Sequence, residues 1–131
     1  MTQLLAGTSG FSYKEWLGKF YPEKHPADGM LRYYAGHFAT VEINNTFYRM
    51  PAETMLARWA EEVPENFAFT LKAPRRITHE LPLKECDTHV AEFVKRAQVL
   101  GGKCWTTPVL ANGKIYCRNV KGDLVCLDVK K

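Results

Sequence analysis

Glu42, Lys72 and His79 are the side-chain types that share proton-transfer work. A carboxylate can act as a general base or a metal ligand, an ammonium can polarise an electrophile or bind an anion, and an imidazole can shuttle a proton. Ser9, Asn44 and Tyr48 add hydroxyl and amide groups to a candidate substrate surface, and Arg75 and Arg76 could hold a phosphate in bidentate fashion. Tyr13 and Trp16 sit with Phe11, Phe20 and Tyr21 in an aromatic loop that could stack on a base or a sugar ring. Each group also has a plainer reading. Glu42 with Lys72 can be an ion pair neutralising a polar interior, His79 a loop hydrogen-bonder, the adjacent arginines a solvated pair, and the aromatics part of the core. No cysteine or histidine spacing matches a zinc site, so neither a structural metal nor a cofactor is expected.

The segments that must position these residues alternate in kind. Leu4 to Phe11 is a short apolar run ending in small residues, as a buried strand opening into a loop would be. Leu31, Tyr34, Ala35 and Phe38 recur at helical spacing before a second strand over Ala39 to Phe47. Pro51 can open a second helix with Ala52, Leu56, Trp59 and Val63 on one stripe, closed by Pro64. A third strand spans Phe67 to Pro74, and a third helix carries Cys86, Val90, Phe93, Ala97 and Leu100 toward a capping Gly101.

This βαβαβα order favours parallel strands with right-handed crossovers. Within the strands, Val41 and Ile43 oppose Thr40, Glu42 and Asn44, while Phe67, Phe69 and Leu71 oppose Ala68, Thr70 and Lys72. One face is therefore apolar and the other polar. An open sheet covered by helices on both faces would bury the polar stripe, whereas a barrel turns it toward the lumen and the C-terminal mouth, where active sites form.

GTSGFSYKEW and FYP in the first loop, YYAGHFATVEINNTFYRMP at Tyr33 to Pro51 and FAFTLKAPRRITH at Phe67 to His79 closely resemble the YecE-like family (DUF72), over about Leu4 to Leu100. Phe11 stands where that family usually has Trp. The resemblance implies a variant TIM barrel of unknown function. A complete (β/α)₈ barrel takes roughly 250 residues, so three βα units imply a truncated segment over residues 1–101 with reduced activity. For the parent domain, barrel analogy suggests a hydrolase or lyase acting on a phosphate-bearing or sugar-like substrate. The alternative is a non-catalytic binder of single-stranded nucleic acid or nucleotides, and a third reading is an interaction protein that self-associates through exposed strand edges.

Residues 102–131 read differently. Asn112-Gly113 and Lys121-Gly122 signal tight turns between three short strands, so the whole chain is expected to be α/β, a partial TIM-barrel-like unit of three βα repeats followed by a three-stranded antiparallel β meander. With two-residue turns, Leu110 would face Ile115 and Cys117 would face Cys126, close enough for a disulfide. Trp105 to Arg118 and Gly122 to Asp128 resemble a terminal repeat of a pyrroloquinoline-quinone-type β-propeller, which would make the chain a chimera; no cofactor site carries over from one blade. Residues before Gly101 carry 12 basic and 12 acidic side chains and those from Gly101 onward carry 6 and 2, with Lys103, Lys114, Lys121, Lys130 and Lys131 read as solvated. A hydrophobic fraction of 46% with no membrane-length apolar run predicts a globular chain, expected in the cytoplasm and without a membrane partner.

Overall fold

Four short strands, β1 (Gly7–Ser9), β2 (Thr40–Ile43), β3 (Ala68–Leu71) and β4 (Cys104–Thr106), pair in that order and all in parallel. The computed structural model describes residues 5–80, 85–106, 109–111, 114–118 and 124–128, with side chains as far as Cys104. The helices α1 (Met30–Ala35), α2 (Asn45–Tyr48), α3 (Glu53–Glu62) and α4 (Asp87–Ala97) lie in the connections between strands. Parallel neighbours need such crossovers, and the mixed α/β architecture follows from that requirement.

Side-chain alternation decides which face is covered. Val41, Ile43, Phe69 and Leu71 are buried in one core cluster with Leu31 and Tyr34 of α1, Leu56 and Trp59 of α3, and Phe93 and Ala97 of α4. Each fully buried large apolar side chain contributes about 1.5–3 kcal/mol relative to exposure. Leu56, Trp59 and Val63 form the expected buried stripe, but Ala52 is exposed just ahead of α3. Tyr34 joins the first two strands through its hydroxyl, which accepts the Thr8 N–H at 2.8 Å and donates to the Thr40 carbonyl at 3.0 Å.

Several boundaries differ from the sequence-based expectations. The second strand stops at Ile43 instead of running to Phe47, because Asn44 already has helical backbone angles and the chain turns into α2. The buried Thr46 hydroxyl fixes this turn, lying 3.0 Å from the Ile43 carbonyl and 2.7 Å from that of Lys72. A larger difference lies beyond Gly101. Its φ of 59° breaks the helical run that follows α4, and Cys104–Thr106 then adds a fourth parallel strand beside β3. The three βα units are thus followed by a fourth parallel strand, where the sequence was expected to leave the parallel sheet.

Lys103 is not a solvated charge. Its side chain is 11% exposed, and its ammonium donates to the carbonyls of Ala60 and Val63 at 2.8 and 3.2 Å, at the C-terminal end of α3. A cation there satisfies carbonyls that a helix leaves unpaired and complements its dipole. Lys103→Met is expected to lower unfolding free energy by about 1–2 kcal/mol, with an unchanged denaturant m-value in urea melts.

Farther along, β5 (Val109–Ala111), β6 (Lys114–Arg118) and β7 (Leu124–Asp128) pair antiparallel. Leu110 partners Ile115. Cys117 partners Val125, however, and Cys126 partners Tyr116, one residue out of step with the facing cysteines expected for a disulfide. Five residues, not two, separate the last β6–β7 pair, and an odd connection shifts the register by one. Lys114 opens β6, while the two glycine turns themselves and Lys121, Lys130 and Lys131 lie outside the described residues. Among the described residues no helix is long and apolar enough to cross a membrane.

Candidate functional site

Parallel pairing sets Ser9 beside Glu42 and Glu42 beside Thr70. Asn44 and Lys72 lie two positions past Glu42 and Thr70, just beyond β2 and β3, and their hydrogen bonds gather them with Ser9 and Glu42 at the C-terminal ends of β1, β2 and β3. They close into a ring of contacts. Ser9 Oγ donates to Glu42 Oε1 at 2.9 Å, Lys72 Nζ approaches the same oxygen at 3.6 Å and donates to Asn44 Oδ1 at 2.9 Å, and Asn44 Nδ2 donates back to Ser9 Oγ. The Lys72 and Glu42 side chains remain 45% and 36% exposed, so an entering ligand can reach them.

Two loops build the walls. Gly10, with φ of 85°, turns the chain out of β1 while its N–H donates to the Glu42 carbonyl at 2.7 Å. Tyr13 then folds back so that its hydroxyl donates to the Ser9 carbonyl, and its ring lies 4.9 Å from Trp16. Trp16, Phe20 and Phe11 are partly buried against the core, and Tyr21 is 1% exposed. The aromatic loop is thus chiefly packing, with Tyr13 at its exposed margin. On the other side, Asn44, Phe47, Tyr48 and Lys72 line an open hollow of about 280 Å³, and Tyr48 is 72% exposed.

His79 stands apart from the ring. It lies in the helical turn Arg76–Glu80, with Nδ1 2.6 Å from Thr78 Oγ1 and its imidazole edge-on to Phe47 at 5.4 Å. No contact among the described residues connects it to Glu42 or Lys72. Arg75 pairs with Glu80 at 2.7 Å, and both arginines line a second cleft with Arg49 and His89, two residues that the sequence reading passed over. Arg49 carried a usable signal, since it is a cation in the loop leaving the C-terminal end of a parallel strand. Among the described residues no group of three or more His, Cys, Asp and Glu side chains is placed to hold a metal ion.

Burial pushes the Tyr21 hydroxyl up to about 12, with the neighbouring Tyr34 adding to the effect. Its proton is therefore held more tightly in the folded chain than in the unfolded one, where tyrosine ionises near pH 10. The resulting stability is fully present below about pH 10 and is lost as pH rises toward 12. Urea midpoints are expected to fall steeply between pH 10 and about 11.5 for the native chain, and less steeply for Tyr21→Phe. Parallel profiles would refute the assignment.

Residues 5–110 match a family model described as a protein of unknown function, DUF72. This chain belongs to the DUF72 family. It is 38% identical over 78 residues to the UPF0759 protein YecE of Escherichia coli K12, covering 57% of this chain and 29% of that protein. The UPF0759 protein YunF of Bacillus subtilis 168 is 34% identical over 58 residues, covering 44% and 21%. The chain therefore spans less than a third of the length of these curated relatives. Crystal structures of DUF72 proteins superpose on it with TM-scores of 0.58 for Thermotoga maritima, at 26% identity over 76% of this chain and 41% of that one, and 0.56 for Enterococcus faecalis, at 27% identity over 74% and 35%. The three strand ends that carry the ring lie inside the DUF72 match.

Proposed function

We propose that the parallel DUF72 sheet is a sector of a TIM-like barrel and that its ring of Ser9, Glu42, Asn44 and Lys72 is the acid–base corner of a hydrolase- or lyase-like active site acting on a phosphate-bearing or sugar-like substrate. The observation that carries this reading is the closed hydrogen-bonded ring at three adjacent strand ends, the position from which barrel enzymes draw catalytic groups. Glu42 accepts a proton from water or a substrate hydroxyl, and Lys72, within reach of the same carboxylate, offsets the negative charge that develops on the reacting oxygen. The leaving group recovers the proton from Glu42, so the step is balanced. Ser9 and Asn44 fix the carboxylate and the ammonium through one hydrogen bond each. The tail beyond β4 is, in this reading, a propeller-repeat-like addition that supplies no catalytic group.

The test belongs in a full-length DUF72 relative that turns over a candidate phosphate or sugar ester. Changing the residue aligned with Glu42 to Gln should reduce kcat about a hundredfold, with little effect on the melting temperature because the site is exposed. Undiminished turnover would sink the assignment. Salt-dependent retention on single-stranded nucleic acid that survives the same change, without any turnover, would favour a binder.

A further inference from the structure

We infer that the cleft beside the ring is the seat of a phosphate monoester group, so that the substrate is a small sugar phosphate held with its phosphate against Arg49, Arg76 and His89 and its sugar over Tyr48. This rests on the catalytic reading of the ring and names the substrate class it serves. The cleft lies between the α2 end and the turn Arg76–Glu80, with a volume of about 360 Å³. That is near the lower end of the roughly 300–1,000 Å³ typical of small-molecule pockets.

Its charge is unbalanced. Of three guanidinium groups on its walls, Arg75 is paired with Glu80 at 2.7 Å. Arg49 and Arg76 have no carboxylate partner among the described residues. They come from the loops after β2 and β3, 27 positions apart in sequence, and converge only through the sheet. A guanidinium presents a rigid fork of donors that matches a phosphate, and His89, near the start of α4, adds a ring nitrogen from a third element. Glu80, also on the lining, is neutralised by Arg75, so the guanidinium groups of Arg49 and Arg76 remain, enough for one terminal phosphate.

The cleft adjoins the hollow beside the ring. Phe47 and Tyr48 line both the basic cleft and the hollow that contains Asn44 and Lys72. Tyr48 leaves a large aromatic face 72% exposed at that boundary, where a sugar can lay its apolar face while its hydroxyls meet Asn44, Lys72 and Glu42.

Calorimetric titration of the full chain with inorganic phosphate, glucose 6-phosphate and glucose tests this arrangement. Both phosphates should bind, glucose 6-phosphate more tightly, and glucose should not bind detectably. Arg49→Gln with Arg76→Gln should weaken both phosphates at least tenfold, and Tyr48→Ala should weaken glucose 6-phosphate alone. Circular dichroism confirms that each variant is folded. Phosphate affinity indifferent to the arginine pair, or absent from the native chain, overturns the inference, as does equal loss of both phosphates in Tyr48→Ala. Failure of the ring as a catalyst would show separately, as turnover in a full-length relative that survives the Glu42 change while phosphate still depends on the arginines.

Discussion

Phe69→Ala should cost about 3–5 kcal/mol of unfolding free energy, the range for removing a large aromatic side chain from a packed core. Phe69 is fully buried on β3, the strand between β2 and β4. Its ring stacks on Trp59 of α3 at 6.1 Å and meets Phe67 at 5.0 Å. Its removal therefore opens a cavity bordered by two rings that cannot both move in to fill it. Single domains have only about 5–15 kcal/mol in total, so the variant should lose a large share of its stability and unfold at a much lower urea concentration. Phe69→Leu, closer in volume, should retain most of the stability. Similar urea midpoints for the two variants would mean that the cluster is not packed as described.

The second large effect comes from a position with no side chain. A Cβ on Gly7 would lie 2.0 Å from the Thr40 carbonyl oxygen and 2.8 Å from its carbon, contacts that only backbone displacement can relieve. Gly7→Ala should therefore push β1 away from β2 and cost about 2 kcal/mol or more, comparable to an overpacked core. Because Ser9 is two residues along the same strand, the displacement also opens the ring. The amide of Gly10, which donates to the Glu42 carbonyl, should then exchange with solvent much faster than in the native chain. Retained protection of that amide would show that β1 tolerates the methyl group in place.

How far these features can be read from the sequence depends on the length over which each signal repeats. The alternation of Val41 and Ile43 with Glu42 and Asn44, and of Phe69 and Leu71 with Thr70 and Lys72, extends over enough residues to fix which side chains share a face. That is why the ring could be anticipated. The strand Cys104–Thr106 has three residues and no period to detect, and its pairing to β3 is a property of the sheet alone. The capping role of Lys103 joins positions 40 or more residues apart. The β6–β7 register depends on the length of the connection, which the glycine signal at Lys121-Gly122 understated. Arg49 is hidden in the sequence because Asn45 to Phe47 have the look of a strand end, whereas the chain there turns into α2 and redirects the loop that follows.

The four-membered ring has a consequence for how a ligand is chosen. Three members donate to a neighbour, Ser9 to Glu42, Asn44 to Ser9 and Lys72 to Asn44, and Glu42 accepts. Entry is therefore a trade of partners and not the filling of vacant valences, and a molecule gains only if it offers both donors and acceptors to replace those it displaces. An apolar molecule of the right shape would be refused because it would leave an ammonium and a carboxylate cut off from water. Selection at this corner thus works as an exchange of hydrogen bonds.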